Sequence, residues 1–199
     1  MNAERGRSWR DAVFERRGAL LAMPAVTLAI FGRPSAKSAA AGVSLALAGE
    51  ALRCWAVGYS GVTTRSDRVV APALTTAGPY AFVRNPLYAG NFITALGFTL
   101  AFTGGLGNGG RTALTVSGLG TMLAVYAAIV PLEEAYLRAT FATAFDEYAA
   151  RVPRIVPRVT PASPALGTYD ASVIARAESR TFVTFGAMLA VLALKLMRG

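Results

Sequence analysis

PLYAGNFITALGFTLAFT (residues 86–103), GGLGNGG (104–110) and RTALTVSGLGTMLAVYAAIVPLEE (111–134) run consecutively, and their reading decides the fold. Two apolar blocks, Pro86–Thr103 and about Thr112–Pro131, are each near the length that crosses a bilayer as a helix. The glycines between them predict a flexible turn. They do not form a phosphate cradle, because the stretch lacks both the Gly-Lys-Ser/Thr ending and a preceding strand. A hairpin of two membrane helices follows, opened by Asn85-Pro86 and closed by Pro131 and the pair Glu133 and Glu134.

Outward from this hairpin the pattern repeats. Upstream, Ala39–Val62 is a further apolar block, and Gly18–Gly32 another, interrupted by Pro24. Downstream, Thr181–Met197 closes the chain. Residues 1–17 carry five arginines with Trp9, Val13 and Phe14 at helical spacing, as an interfacial amphipathic helix does. A cleaved secretory signal is the rival for the first block, since small residues follow at Ser35 and Ala36; the long mixed-charge leader opposes it. The expectation is one all-α membrane domain over 1–199. It has an interfacial helix (1–17), four spans (18–131), a segment covering a cofactor (132–165) and a last span (181–197), five spans in all. Pro153, Pro157, Pro161 and Pro164 exclude a regular helix across the segment before the last span.

Composition agrees. Of 199 residues, 54% are hydrophobic and only 16% charged, too few charges for a soluble surface. The net charge of +9 is almost wholly arginine, placed beside apolar blocks, where anionic lipid headgroups attract it. A nucleic-acid partner would need a basic stripe on a soluble fold and is not expected. With the N-terminus inside, the inner connections hold fourteen basic residues and the outer ones five, which satisfies the positive-inside rule. Arginine in place of lysine, with abundant Ala and Gly, points to a bacterial protein and hence to an inner membrane. The chain has no histidine and one cysteine, Cys54. That excludes an intramolecular disulfide and Ser-His-Asp or Cys-His catalysis, and it denies zinc its usual ligands, so no metal is expected.

Glu50 and Arg53 lie three residues apart inside a span. They share a helix face and read first as an inward-facing ion pair. The chemistry gathers instead in GPYAFVRNPLYAG (78–90) and PLEEAYLRATFATAFDEYAARVPR (131–154), which this topology puts on one face. Asn85 and Pro86 make a sound helix start, with Asn as N-cap and Pro in the first turn. Tyr80, Arg84 and Tyr88 crowd that helix mouth, whose free backbone donors and positive dipole end suit a carboxylate. Glu133 and Glu134 are ordinary interface charges on one reading. On another they hold ribose hydroxyls or a cationic amino or sulfonium group, with Arg138 placed to pair with Glu134.

The order GPY-x-x-x-R-N-P-x-Y-x-G, then a span, then Glu133-Glu134, Phe141, Tyr148 and RVPR (151–154) with Pro157 resembles the isoprenylcysteine carboxyl methyltransferase family. That family borders on the phospholipid methyltransferases, and the resemblance covers about residues 65–157. It implies S-adenosylmethionine as cofactor, contacted by Tyr80, Asn85, Pro86, Leu87, Tyr88 and Glu133 and by Leu74 in the approach loop, with Arg84 positioning it. It also implies a lipid-like or prenylated methyl acceptor taken from the bilayer, near Arg151, with the site facing the cytoplasm. The family's histidine before proline is Asn85 here, and its substrate-binding arginine falls at Ile129, so that carboxylate partner is missing. Were the acceptor an amine, it would have to lose a proton, with Glu134 as the candidate base. Methylation of a phospholipid amine is the nearest alternative; an NADPH reductase resembling sterol reductases and a non-catalytic membrane protein are the others.

Overall fold

The computed structural model describes residues 9–61 and 73–198, which form five α-helices and no strand. They are α1 (Trp9–Phe31), α2 (Ala36–Ser60), α3 (Pro86–Thr103), α4 (Asn108–Arg151) and α5 (Ile174–Arg198). Arg5, Arg7, Arg65 and Arg68, counted above among the inner basic residues, lie outside the described residues. Among the described residues, three helices are long and apolar enough to cross a membrane: α2, α4, and α5 with the short turn before it. At 18 residues, α3 is shorter, and α1 carries charges through its first half. Each of these two packs along one of the long three.

Helix boundaries shift where nothing local enforces a break. Residues 9–17 are not a separate interfacial helix; no breaker stands between Arg17 and Gly18, so α1 runs unbroken past Pro24 to Phe31. Nor does α4 end at Pro131. A proline in mid-helix removes one hydrogen bond, yet here the helix continues to Arg151. Its real interruption is at Ala142, whose φ of 45° and ψ of −121° turn the chain sharply. The last helix begins at Ile174, seven residues before the apolar block, because Ala177 and Glu178 are buried against the bundle.

The ends are set by identifiable chemistry. Ser35 caps α2 reciprocally: its Oγ accepts from Ser38 N (3.3 Å), and Ser38 Oγ accepts from Ser35 N (3.1 Å). Asn85 does not cap α3 with its side chain as expected. Its amide is drawn away to donate to Arg154 O (3.1 Å), and Pro86 in the first turn suffices to start the helix. The two turns at the far end lie together, with Gly105 N donating to Arg33 O (2.7 Å). Lys195 Nζ reaches Ile30 O and Gly32 O at that same end, so the helices alternate in direction as the charge count requires.

The tightest contact is between α2 and α3. Gly42, Ala46 and Gly49 on one face meet Gly90, Gly97 and Ala101 on the other. A Cβ on Gly49 would stand 2.5 Å from Thr94 N and Oγ1, so the two backbones touch only because no side chain intervenes. Small residues at this spacing are how helices associate in lipid, where apolar burial supplies little drive. The other helices pack with larger groups. Phe14 of α1 sits among Met122, Val125 and Tyr126 of α4. Phe185, Met188 and Leu192 of α5 pack with Leu28, Phe98 and Phe102, the rings of Phe98 and Phe185 meeting edge-on at 5.0 Å.

Candidate active site

A cavity of about 700 Å³ lies within the bundle, walled by all five helices and roofed by the loop before α3. Its size is that of a cofactor or ligand site. The loop enters through a 3-10 turn, Gly78–Ala81, which places Tyr80 at the roof. One turn further, Tyr88 on α3 donates its hydroxyl hydrogen to Glu133 Oε1 on α4 (2.7 Å). Its ring lies 4.5 Å from that of Tyr126. The mouth of α3 and the exit of α4 therefore belong to one chamber.

Of the residues expected at the site, Leu74, Tyr80, Arg84, Leu87, Tyr88 and Glu133 line the cavity. Four do not. Pro86 is fully buried beneath it and Asn85 is turned to Arg154 O. Arg151 faces outward, donating to Glu147 O (3.1 Å) and Ser163 O (3.0 Å) at the end of α4. Glu134 is 4% exposed and held by two guanidinium groups: Arg84 Nε donates to Oε1 (3.0 Å), Arg154 Nε to Oε2 (3.0 Å), and Arg154 closes a second bond to the same oxygen. Both of its oxygens are thus committed to cations, and Arg138, expected beside it, pairs with Asp146 across the kink instead (2.6 Å). A carboxylate so engaged anchors the chain; it is poorly placed to accept a proton from a ligand.

Around that anchor the loop before α3 is tied down. Arg84 also donates to Ala149 O (2.7 Å) and Val152 O (2.9 Å). Segment 153–170 runs back over the loop as a strap. Arg84 N donates to Pro153 O, Arg158 N to Phe82 O, Ala162 N to Ala81 O, and Thr76 N and Ala77 N to Leu166 O. Tyr148 Oη donates to Tyr80 O (2.8 Å). The prolines forbid helix here, and the strap's backbone groups find partners in the loop instead. Beneath it, burial pushes the Tyr80 phenol up to about 12 against the opposing bond from Ser60, so Tyr80 stays a neutral donor at any working pH.

A second polar cluster lines the inner wall. Arg53 pairs with Glu178 (2.6 Å) and Glu50 (3.5 Å), reaches Thr181 (3.4 Å), and donates to Asn91. The sequence-level pair is therefore a triad, completed by a glutamate that sequence spacing left unnoticed 125 residues away. In hydrocarbon such charges persist only when paired, and this triad pins α5 to α2 beside the cavity. Arg17 of α1 also lines the chamber and interacts with the charge of Glu133. Its ordinary setting in an arginine-rich leader gave no sign of this. Among the described residues, no group of acidic residues and cysteine is placed to hold a metal.

Comparison with known proteins yields a family match. The phospholipid methyltransferase family model covers residues 38–144, more than half of the 199-residue chain. No curated protein and no solved structure matches. The matched residues run from α2 to just beyond the kink in α4, taking in the helix mouth, the twin glutamates and most of the cavity wall. This chain belongs to the phospholipid methyltransferase family of integral membrane methyltransferases.

Proposed function

We propose that the chain binds S-adenosylmethionine in this chamber, beneath the strap on the cytoplasmic face, and methylates a lipid-like amphiphile that enters from the bilayer. The observation that carries the reading is the Tyr88–Glu133 contact, which joins the two motif-bearing helix ends in a single cavity.

The residues fit the cofactor's chemistry. It is a zwitterion with a sulfonium, a ribose diol and an adenine. Glu133 accepts from Tyr88 on one oxygen and keeps its other for ribose hydroxyls or a cation. The first turn of α3 offers backbone donors and a positive dipole end to a carboxylate. Tyr80 and Leu74 supply apolar surface with a neutral hydroxyl.

The bound cofactor supplies a methyl group already activated on sulfur. The chain's own residues contribute orientation and the exclusion of water, the terms that dominate when no strong acid or base is needed. The strap holds the roof loop in place, while Leu21, Leu28, Met122, Phe185 and Met188 give the inner half an apolar lining suited to an acyl or prenyl chain. An amine acceptor would have to release a proton on the way to forming its new N–C bond. Glu133, which faces the cavity, is better placed to receive it than Glu134, which is occupied by arginines. Incubating purified protein with methyl-labelled S-adenosylmethionine and a host lipid extract tests the activity. Label is expected in a lipid product, and none in any lipid or prenylated thiol would refute it.

A further inference from the structure

The strap carries a feature that covering a cofactor does not require. Ile155, Val156 and Val159 are 73, 75 and 97% exposed, a dense apolar patch on a proline-bound loop. Between residues 148 and 169 the chain has three arginines, Arg151, Arg154 and Arg158, and no acidic residue. Arg154 is neutralised by Glu134. Among the described residues, Arg151 and Arg158 are engaged only with backbone carbonyls, and each keeps further N–H donors.

Depth decides what this patch meets. The chain leaves the membrane with α4, turns at Ala142, and returns so that Pro153 O accepts from Arg84 N (2.9 Å), two residues before α3 begins. Arg158 N donates to Phe82 O (2.9 Å). The Phe82 ring lies 6.3 Å from that of Trp55, which is 42% exposed on the outer face of α2, the position tryptophan takes at a membrane–water boundary. The loop 154–159 is thus held at the level of the headgroups.

We propose that residues 154–159 form an interfacial anchor for anionic phospholipid, with Ile155, Val156 and Val159 dipping below the headgroups and Arg151 and Arg158 on their phosphates. Apolar side chains interleaved with arginines are the composition by which segments lie in that layer, and the attraction is screened by salt. Because the same loop is bonded to Phe82 and Asn85, lipid contact bears on how firmly the roof of the cavity is held.

The test uses full-length protein in nanodiscs, with Cys54→Ser and an environment-sensitive dye at either V156C or, as control, E147C. Bilayers of phosphatidylcholine, with or without phosphatidylglycerol, contain lipids brominated near the top of the acyl chain. Quenching at position 156 is expected to exceed that at 147 several-fold, to rise with phosphatidylglycerol, and to lose that rise in high salt or on R151Q/R158Q substitution. Equal quenching at the two positions would overturn the anchor. Strong quenching at 156 that is indifferent to phosphatidylglycerol would overturn its preference for anionic lipid.

Discussion

Adjacent glutamates on α4 should fail in different ways. Glu134 is buried between Arg84, whose side chain is 13% exposed, and Arg154, at 48%. Replacing it with glutamine leaves the Arg84 guanidinium without its counter-ion in a nearly dry site, which costs about 3–5 kcal/mol. The Arg154 side is half in water and adds at most about 1 kcal/mol. Arg84 keeps its bonds to Ala149 O and Val152 O, so the lower end, about 3 kcal/mol, is the better figure. For a chain of this size that lowers the melting temperature by about 6–12 °C. Glu133→Gln gives up only the attraction of Arg17, which is half-buried in the chamber wall, and preserves a carbonyl acceptor for Tyr88. It should melt close to wild type but bind S-adenosylhomocysteine roughly 10- to 100-fold more weakly, the worth of a hydrogen bond to a charged group. Both variants are measured by thermal unfolding in detergent and by equilibrium ligand binding. If Glu134→Gln melts like wild type while losing ligand affinity, or if Glu133→Gln binds normally, the division of labour drawn here is wrong.

Three further outcomes follow from packing and strain. Ala142 sits at positive φ in a conformation costly for any residue with a Cβ, so Ala142→Gly should gain about 1 kcal/mol and raise the melting temperature by about 2–4 °C, and a lower melting point would contradict the strain. Gly49→Val must push α2 off α3, since even a Cβ meets Thr94 backbone at 2.5 Å; a loss of about 1–3 kcal/mol is expected in thermal unfolding, and wild-type stability would refute the close contact. Glu178→Ala leaves Arg53 with Glu50 alone, at 3.5 Å, as its counter-ion and should cost about 1–3 kcal/mol, with the conservative Glu178→Asp recovering part of it; an unaffected melt would remove the triad from the account.

Much of the site was legible before any coordinates. Asn85-Pro86 marks a helix start and Glu133-Glu134 a membrane exit, and the count of arginines puts both on one face. From these, Tyr80, Tyr88 and Glu133 can be grouped, and the fold groups them. What could not be read has physical causes. Ala142 is an ordinary helix former, so a kink stored in its backbone leaves no trace in residue type. Pro131 is a strong breaker by propensity, but packing of Ile129 and Val130 on one side and the Glu134 ion pairs on the other hold α4 through it. Glu134 and Glu133 are indistinguishable as letters. Tertiary partners separate their roles: Tyr88 takes Glu133, while Arg84 and, with the return of the strap twenty residues later, Arg154 take Glu134. Glu178 lies just outside an apolar block, where nothing in its neighbours marks it, and its burial depends on Arg53 in a helix far away in sequence.

The central claim is that the opening of α3 and the end of α4's membrane stretch enclose one adenosyl ligand. Photolabelling of the nanodisc-held protein with radioactive S-adenosylmethionine, followed by peptide mapping, tests it most directly. Saturable label, displaced by S-adenosylhomocysteine, is predicted on the peptides containing Tyr80–Tyr88 and Glu133–Leu137; label confined to other helices, or none that saturates, would contradict it.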